Sequence, residues 1–272
     1  MSNEQSRRFH GVDADEYWHG LLSGEGKGLN PASRLFRNIP TAPRCKLCQA
    51  PFAGPYAWLF RLVGFRRWAL NQQLCKYCVS GIEKFKGGTE IDLSLLFADV
   101  RGSTKLAEEM PAARFSEALD RFFELAFEAV DTEDGVIDHI VGDGVMALWV
   151  PGFVGAEHPK RALAAGRKLR DALATAPNMA DFPVGIGVHT GIAFAGVVGN
   201  PGSHDFTVLG DVPNTTARLG SAAKGGELVL SQELARAAEV DTTPLEHRVL
   251  ELKGKASLFP AWIERATPET SR

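Results

Sequence analysis

The hydrophobic pattern changes near Glu90, where alternating and helical spacings begin to follow one another along the chain. Apolar side chains recur at every second position of IDLSLLFADV, residues 91–100, and predict a strand. Residues 112–131 carry apolar side chains at helical spacing, which predicts an amphipathic helix packed on a sheet. That apolar stripe consists of Phe115, Leu119, Phe122, Ala126 and Val130.

The rest of this region continues the alternation. Residues 135–141 and 145–150 predict two strands joined by a tight turn at Gly142-Asp143-Gly144, where glycine permits a positive φ. The further predicted elements are a helix over about 157–174, the strands GIGVHTG, IAFAGVVG and DFTVLG, a helix over about 212–223, the strand ELVLS, a short helix from Gln232, and the strands HRVLELKG and LFPAWIER. This order predicts an α/β fold, with one mixed sheet and helices on one face.

Before residue 90 the hydrophobic pattern is weaker, and its changes separate further segments of the chain. Residues 1–40 show no sustained periodicity and predict loops around at most a short helix. Residues 41–88 form a cysteine-containing module whose end, Lys86-Gly87-Gly88, has the composition of a linker. Residues 90–265 are predicted to be the main domain, and residues 266–272 a tail.

Composition and charge narrow the class of protein. Hydrophobic residues make up 44% of the chain and charged residues 23%, which is usual for a globular protein with a sizeable core. The polar amino terminus and the lack of a long apolar run predict a cytoplasmic protein without a membrane partner. The net charge of −3 conceals a basic segment, because residues 41–88 contain eight Lys or Arg against the single acid Glu83.

The four cysteines stand in two pairs, CKLC and CKYC, that are separated by 26 residues. Cys45, Cys48, Cys75 and Cys78 can together surround one tetrahedral ion, and without an export signal such pairs favour metal over disulfides. The favoured hypothesis is that the four cysteines bind zinc in a zinc-ribbon-like module. The alternatives are an iron–sulfur cluster and the absence of metal. Trp58, Phe60, Phe65 and Trp68 are expected to form its small core.

Two carboxylates of the main domain are candidates for a second kind of metal site. Asp99 ends the first predicted strand and Asp143 lies in the neighbouring hairpin, so both are expected at one edge of the sheet. Hard divalent cations are commonly held by one or two carboxylates together with substrate phosphates. Gly102, Ser103 and Thr104 begin the next helix, where backbone N–H groups suit phosphate oxygens. Without further motifs, the GDG sequence would be read as an ordinary hairpin turn.

Five motifs, in this order, give the main domain a family resemblance: LLFADVRGST, HIVGDGVMALW, GIGVHTGIAFAGVVG, DFTVLGDVPNTTARL and LKGKASLFPAW. They resemble the catalytic domain of class III adenylate/guanylate cyclases over about residues 90–265. The resemblance implies a ferredoxin-like βαββαβ fold and a head-to-tail homodimer with active sites at its interface. It also implies attack of the ribose 3′-oxygen on the α-phosphorus of a nucleoside triphosphate, with release of pyrophosphate.

The same resemblance assigns roles to particular residues. Asp99 and Asp143 match the aspartates that hold a pair of Mg²⁺ or Mn²⁺ ions, and the Val100 carbonyl is a further metal contact. Asn214 matches the asparagine that orients the ribose, and Arg218 the arginine that stabilises charge on the α-phosphate. Lys255 matches the lysine that reaches the triphosphate, with Lys253 as the alternative. The plain alternative for Arg218 is a solvated helix residue.

The two positions that select the base depart from the adenylate cyclase pattern. His139 stands where lysine is usual, and Thr207 where aspartate is usual. Adenine needs a donor for its ring N1 and an acceptor for its amino group, and an imidazole N–H and a threonine hydroxyl can supply them. Guanine instead needs an acceptor for its N1–H, and Asp205 can offer one. ATP, with cyclic AMP as product, is therefore favoured over GTP. If His139 makes no contact with a base, the domain is a catalytically silent nucleotide-binding or signalling domain, and Pro213, in place of the usual valine, supports that alternative.

The cysteine module is expected to regulate the cyclase. The competing hypothesis is a nucleic-acid surface made by Arg61, Arg66, Arg67 and Trp68, since cations interleaved with aromatics suit phosphates and stacked bases. Regulation is favoured because the module is short and directly linked to an enzyme-like domain.

Overall fold

A computed structural model gives the fold and describes residues 8–9, 12–25, 36, 39, 43–68, 72–84, 87–200, 203–251 and 258–266. The described residues divide into two compact units. The first unit draws on Met1–Ile91, Val150–Gly155 and Phe194–Leu209, and the second on Asp92–Trp149, Ala156–Ala193 and Gly210–Arg272.

The helices are α1 (Ala14–Ser23), α2 (Ala57–Leu62), α3 (Lys76–Lys84), α4 (Ser103–Glu109), α5 (Ala112–Thr132), α6 (Pro151–Val154), α7 (His158–Thr175), α8 (Asp211–Ala222) and α9 (Gln232–Ala237). The strands are β1 (Arg8–Phe9), β2 (Val12–Asp13), β3 (Gly87–Val100), β4 (Val136–Val141), β5 (Gly144–Trp149), β6 (Val184–Asn200), β7 (Ser203–Leu209), β8 (Glu227–Ser231), β9 (Glu246–Leu250) and β10 (Phe259–Arg265). Among the residues that the structure describes, no helix has both the length and the apolarity to cross a bilayer.

One mixed sheet organises the main domain, as the sequence predicts. Its strand order is β4-β5-β3-β6-β8-β10-β9, and β7 pairs with β6 outside this path. The pairs β3–β5, β4–β5, β8–β10 and β9–β10 are antiparallel, whereas β6 and β8 run parallel. The predicted α/β fold is therefore confirmed.

Helices cover both faces of this sheet, which corrects the expectation of helices on one face. A side chain at Gly187 of β6 would meet the backbone of Gly220 in α8, whereas Gly166 of α7 approaches the side chain of Val188, the next residue of β6. Successive residues of a strand point to opposite faces, so α7 and α8 lie on opposite sides. For the same reason β5 and β8 are buried along their whole length.

Two boundaries also differ from the sequence prediction. The glycines expected to form a linker belong to β3, because a Cβ on Gly88 would lie only 2.4 Å from the Ala195 carbonyl oxygen of β6. Only residues without side chains allow two backbones to approach in this way. The stretches GIGVHTG and IAFAGVVG form the single strand β6 rather than two strands.

The amino-terminal segment contains the short helix that the sequence allows. Helix α1 buries Trp18 and Leu22 completely, and the Trp18 indole stacks on the Phe206 ring of β7 with centroids 5.9 Å apart. Gly152 of α6 packs directly against the Leu21 carbonyl of α1. Helix α1 is thus part of the core of the first unit.

A buried charge cluster in the second unit gives a prediction for stability against pH. Glu227, whose side chain is 3% exposed, accepts hydrogen bonds from Arg248 at 2.8 and 3.0 Å and from Arg265 at 2.7 Å. The Arg248 hydrogen bonds are the main reason why the pKa of Glu227 falls from 4.5 to about 2. Because the folded pKa is the lower one, this carboxylate stabilises the fold above pH 4.5, and the stabilisation is lost as the pH falls towards 2.

We therefore expect Glu227→Gln to lower the free energy of unfolding by roughly 3 kcal/mol at about pH 7, and by much less at about pH 3. Urea denaturation at both pH values measures this difference. Glu124→Gln, which breaks an exposed ion pair with Arg121, is the control and should cost less than about 1 kcal/mol. An equal loss at both pH values for Glu227→Gln would contradict the electrostatic account.

Candidate active site and metal centre

The predicted convergence of Asp99 and Asp143 occurs at one end of β3. Strand register pairs Asp99 with Gly144, the residue directly after Asp143, and a Cβ on Gly144 would lie 3.4 Å from Asp99 Oδ1. Gly142 and Asp143 form a two-residue turn between β4 and β5, and Gly142 adopts a φ of 60°. A tight hairpin needs this left-handed conformation, which glycine adopts without strain.

The electrostatics of this end of the sheet suit a cation. Burial raises the pKa of Asp99, the nearby Asp143 raises it further, and the Arg101 guanidinium opposes both. Arg101 donates to the Asp99 carboxylate and also to the Ser221 carbonyl of α8, at 2.7 Å. Two neighbouring carboxylates with oxygen donors fit a hard divalent ion such as Mg²⁺ or Mn²⁺. Sequence reasoning missed Arg101, although it lies within LLFADVRGST.

The glycine–hydroxyl stretch after β3 begins α4, but neither hydroxyl caps the helix. Gly102 occupies the N-cap position with a φ of 69°, and no side chain makes a capping hydrogen bond. Ser103 is half-buried and Thr104 is exposed, so both lie at the surface in the first turn. Their assignment to phosphate binding stays a prediction.

Asn214 and Arg218 occupy successive turns of α8. Asn214 is exposed and donates a hydrogen bond from its amide to the Gly210 carbonyl at 2.9 Å; Arg218 is half-buried. Pro213 is the third residue of α8, a position whose N–H has no partner within the helix. Proline is therefore compatible with the helix and with the placement of Asn214 beside it.

The residues expected to read the base belong to different units. His139 of β4 has a side chain that is 40% exposed, and its Nδ1 lies 2.9 Å from Oδ2 of the buried Asp138. Thr207 of β7 is half-buried and pairs with Gly196 of β6. Lys253 and Lys255 lie outside the described residues, as does the side chain of Asp205.

The four cysteines come together as predicted. The Sγ atoms of Cys45, Cys48, Cys75 and Cys78 all lie within 4.8 Å of one another. The distance from Cys48 Sγ to Cys75 Sγ is 3.6 Å, and that from Cys45 Sγ to Cys78 Sγ is 3.9 Å. A tetrahedral ion with metal–sulfur bonds of about 2.3 Å requires sulfurs about 3.8 Å apart. The cluster therefore fits a single ion.

Local backbone contacts shape each half of this cluster. In the first half the Cys45 N–H donates to the Ala50 carbonyl at 2.9 Å, and Gln49 turns the chain with a φ of 62°. In the second half the Cys75 and Cys78 N–H groups donate to the sulfurs of Cys45 and Cys75, at 3.3 and 3.4 Å. Such N–H···S contacts favour the thiolates that a metal binds.

Contacts among the four cysteines also shift the pKa values of their thiols. Hydrogen bonding from Cys48 lowers the pKa of Cys45, and the same contact raises the pKa of Cys48. Four thiolates this close repel one another, and a divalent cation removes that repulsion.

The small core of the module differs in part from the predicted one. Phe36, Phe60 and Phe65 pack edge to face, with ring centroids 4.9 to 6.1 Å apart. Trp58 is 58% exposed on α2, so its assignment to the core is wrong. Phe36 precedes residues 41–88, the predicted bounds of the module, so its contribution was not expected from the sequence.

Two buried histidines are structural. His189 is buried, and its Nδ1 lies 2.8 Å from the Ser231 hydroxyl. His158 is also buried, with Nδ1 2.9 Å from the Ser94 hydroxyl, which in turn donates to Thr190 at 3.0 Å. Burial lowers the pKa of His158 and favours its neutral form. Sequence reasoning missed this network because its members lie far apart along the chain.

Comparison with known proteins agrees with this geometry. Residues 88–264 match the family model described as the adenylate and guanylate cyclase catalytic domain. The chain therefore belongs to the family of adenylate and guanylate cyclase catalytic domains, as the sequence motifs predict.

Proteins with similar sequences are found in mycobacteria. The uncharacterized protein Rv1319c of Mycobacterium tuberculosis is 35% identical over 156 residues, and Rv1318c of the same organism is 34% identical over 155 residues. Each match covers 56% of this chain but only 28% of the relative, so the chain spans little more than a quarter of those proteins.

Solved structures share the fold. The guanylyl cyclase Cya2 superposes with a TM-score of 0.60 at 24% identity, covering 68% of this chain and 98% of its own. The adenylyl cyclase CyaB from P. aeruginosa superposes with a TM-score of 0.58 at 21% identity, covering 68% and 99%. At these identities the likeness concerns the fold.

Proposed function

We propose that this chain converts ATP into 3′,5′-cyclic AMP and pyrophosphate. The observation that carries the proposal is the meeting of Asp99 and Asp143 at the end of β3 in a chain of the cyclase family. In the proposed reaction the ribose 3′-hydroxyl loses its proton to water and its oxygen forms a bond to the α-phosphorus, while the bond from that phosphorus to the bridging oxygen breaks and pyrophosphate leaves.

Asp99, Asp143 and the Val100 carbonyl are the proposed ligands of a pair of Mg²⁺ or Mn²⁺ ions, which supply positive charge to the reacting oxygens. Asn214 orients the ribose, and Arg218 stabilises negative charge that develops on the α-phosphate. Gly102, Ser103, Thr104 and Lys255 bind the triphosphate. Arg101 holds the Asp99 carboxylate in place and offsets part of the charge of the acidic pair.

The proposed active unit is a homodimer in which Asn214 and Arg218 of one protomer act on nucleotide bound at the aspartates of its partner. Exposed apolar side chains on the second unit support a partner surface: Ile140 is 47% exposed, Val141 48% and Ile192 70%. Burial of such side chains against a second copy favours association.

Incubation of the purified protein with ATP and, separately, with GTP in the presence of Mn²⁺ tests this function. Cyclic AMP from ATP, with little cyclic GMP from GTP, is the expected result. Cyclic GMP as the main product would make the chain a guanylate cyclase. The absence of either product from dimeric, metal-supplied protein would leave a nucleotide-binding domain without cyclase activity.

The four-cysteine cluster is the proposed site of one Zn²⁺. In an iron–sulfur cluster the four cysteines are divided among two or four irons, which separates at least some of their sulfurs more widely than the 4.8 Å within which all four lie here. We expect elemental analysis to give one zinc per chain and no acid-labile sulfide. Replacement of Cys45 by serine should remove the zinc, whereas serine in place of Thr175, at the end of α7 in the second unit, should not. Stoichiometric iron with sulfide would overturn the assignment.

This metal module is also the proposed regulator of the cyclase. Its aromatic core and α1 belong to the same compact unit as β7, which carries Thr207. Removal of the metal by a chelator, followed by back-titration with zinc while Mn²⁺ is kept in excess, should change the rate reversibly. A rate that is the same with and without zinc would exclude regulation through this cluster.

A further inference from the structure

The cysteine module carries a concentrated apolar surface on α2 and on the residue that follows it. Its members are Leu62, which is 72% exposed, Val63 at 70%, Trp58 at 58% and Leu59 at 44%. Trp58 and Leu62 are four residues apart, as are Leu59 and Val63, so the four side chains share one side of the helix. We call them the α2 apolar face. Single exposed apolar side chains are ordinary, whereas a contiguous group of them marks a contact surface.

The other side of α2 attaches the helix to the module. Ala57 is buried, and the Phe60 ring packs edge to face on the Phe36 ring, with centroids 4.9 Å apart. The chain turns at Gly64, whose φ is 98°, and the N–H of Phe65 donates to the Phe60 carbonyl at 2.9 Å. Phe65 then joins the same aromatic core. The inner side of α2 is therefore occupied, and the α2 apolar face points away from this core.

Three arginines border the α2 apolar face. The Nε of Arg66 donates to the Arg61 carbonyl at 3.3 Å, and Arg61 donates to the Phe52 carbonyl at 3.4 Å, so both guanidinium groups lie beside the helix. The Arg67 guanidinium lies 5.2 Å from the centroid of the Phe52 ring. All three side chains are exposed, and residues 41–82 contain no Asp or Glu that could neutralise them. The border of the α2 apolar face is therefore positively charged.

This combination fits the surface of an anionic bilayer. Tryptophan, leucine and valine side chains enter the boundary between headgroups and acyl chains, while arginines remain at the level of the lipid phosphates. Exposures of 70% and more at Leu62 and Val63 are typical of a projection rather than a groove, and a deformable bilayer accepts a projection without a matching pocket. Nucleic acid would use the same arginines, but its bases stack on aromatic side chains and gain little from leucine and valine. A bilayer is therefore favoured over nucleic acid.

We propose that the α2 apolar face, with Arg61, Arg66 and Arg67, docks this protein reversibly on membranes that contain anionic phospholipids. This inference goes beyond the proposed reaction and does not depend on it. It departs from the sequence expectation of no membrane partner, which rests on the lack of a long apolar run; contact with a bilayer surface needs no such run. Together with the proposed activity, it places the formation of cyclic nucleotide at a membrane surface.

Cosedimentation of the full-length protein with lipid vesicles tests the docking. We expect binding to vesicles of equal parts phosphatidylcholine and phosphatidylglycerol to be at least about tenfold tighter than binding to phosphatidylcholine alone, because several arginines act together. Added salt should reduce this difference, since it screens the charges. Equal binding to both kinds of vesicle, or binding to neither, would overturn the proposal.

The apolar contribution is tested by removing the two most exposed side chains. The double variant Leu62→Ser/Val63→Ser should bind the anionic vesicles at least about tenfold more weakly than the wild type. Val249→Ser replaces an exposed valine of β9 and is the matched control, which should bind as the wild type does. The unfolding midpoint should hardly change in either variant, because the replaced side chains are exposed. Unchanged vesicle binding in the double variant would overturn the proposal.

The charged border is tested in the same way. Arg66→Gln/Arg67→Gln should weaken binding to the anionic vesicles about tenfold or more and leave binding to phosphatidylcholine alone unaffected. Arg236→Gln, which removes an exposed arginine of α9, is the matched control and should have no effect on either. A double variant that binds the anionic vesicles as tightly as the wild type would exclude the arginines from docking.

Trp58 reports directly on which surface enters the bilayer. Lipids with brominated acyl chains quench an indole that reaches them, and we expect such quenching in the wild type. Trp58→Phe keeps an apolar ring at this position and should lose most of the quenching, since Trp18 and Trp149 are completely buried. Full quenching in Trp58→Phe would show that another surface meets the lipid and would overturn the proposal.

Two other occupants of this surface give different results with the same variants. Self-association in the absence of lipid that is lost in Leu62→Ser/Val63→Ser, without any vesicle binding, would make the α2 apolar face an interface between two copies of the chain. Binding of a fluorescent single-stranded oligonucleotide that is lost in Arg66→Gln/Arg67→Gln, again without vesicle binding, would assign the arginines to nucleic acid. Either result would overturn the proposal.

Discussion

Replacement of Asp143 by asparagine is expected to reduce formation of the cyclic nucleotide at least about a thousandfold. Asp143 lies in the two-residue turn next to Asp99, and an amide in its place is a much weaker ligand for a hard cation. Asparagine keeps the size of the side chain and is tolerated in turns, so the fold should be preserved. The measurement is the initial rate with ATP and saturating Mn²⁺, together with the Mn²⁺ concentration needed for half-maximal activity in any residual reaction.

Two controls separate loss of a metal ligand from loss of structure. Asp120→Asn removes an exposed carboxylate of α5 and should retain wild-type activity. The unfolding midpoint of Asp143→Asn should match or exceed that of the wild type, because one of two mutually repelling carboxylates is removed. A variant that folds normally and keeps more than about a tenth of the activity would exclude Asp143 as an essential ligand.

Mixing two inactive variants is expected to restore about a quarter of the wild-type activity. If each active site takes Asp143 from one protomer and Arg218 from the other, Asp143→Asn and Arg218→Ala homodimers have no complete site. Random exchange makes half of the dimers mixed, and each mixed dimer has one complete site of two. Arg218 is half-buried in α8, so its replacement should remove a functional cation while the helix remains.

The rate after subunit exchange, measured against each variant alone, checks this prediction. A mixture of Asp143→Asn with Asp99→Asn is the matched control, because both changes affect the same metal site and no mixed dimer is complete. Recovery in that control would indicate contamination by active protein. The absence of recovery with Arg218→Ala, in protein shown to exchange subunits, would place Asp143 and Arg218 in the same protomer.

Much of the site could be found from the sequence because its parts are local. The carboxylates, Asn214, Arg218 and the cysteine pairs each lie in a short motif, and the order of these motifs gave the family. Their roles in catalysis stay predictions.

Errors arose where a pattern has more than one structural meaning. The sequence predicts a linker at Gly87 and Gly88, but these glycines permit the close approach of β3 to β6. It also predicts that Trp58 belongs to the core of the cysteine module, but Trp58 lies on the surface.

The sequence by itself determined the long helices and most strands of the main domain, the mixed sheet, the cyclase family and the grouping of four cysteines, since periodicity and motif order are properties of neighbouring residues. Tertiary structure alone decided that helices cover both faces of the sheet, that Arg101 joins Asp99 to α8, and that Asp138 meets His139. Each of these depends on strand register or on contacts between distant segments. A bulge of one residue reverses which side chains share a face, and only the pairing of β4 with β5 defines where that bulge falls.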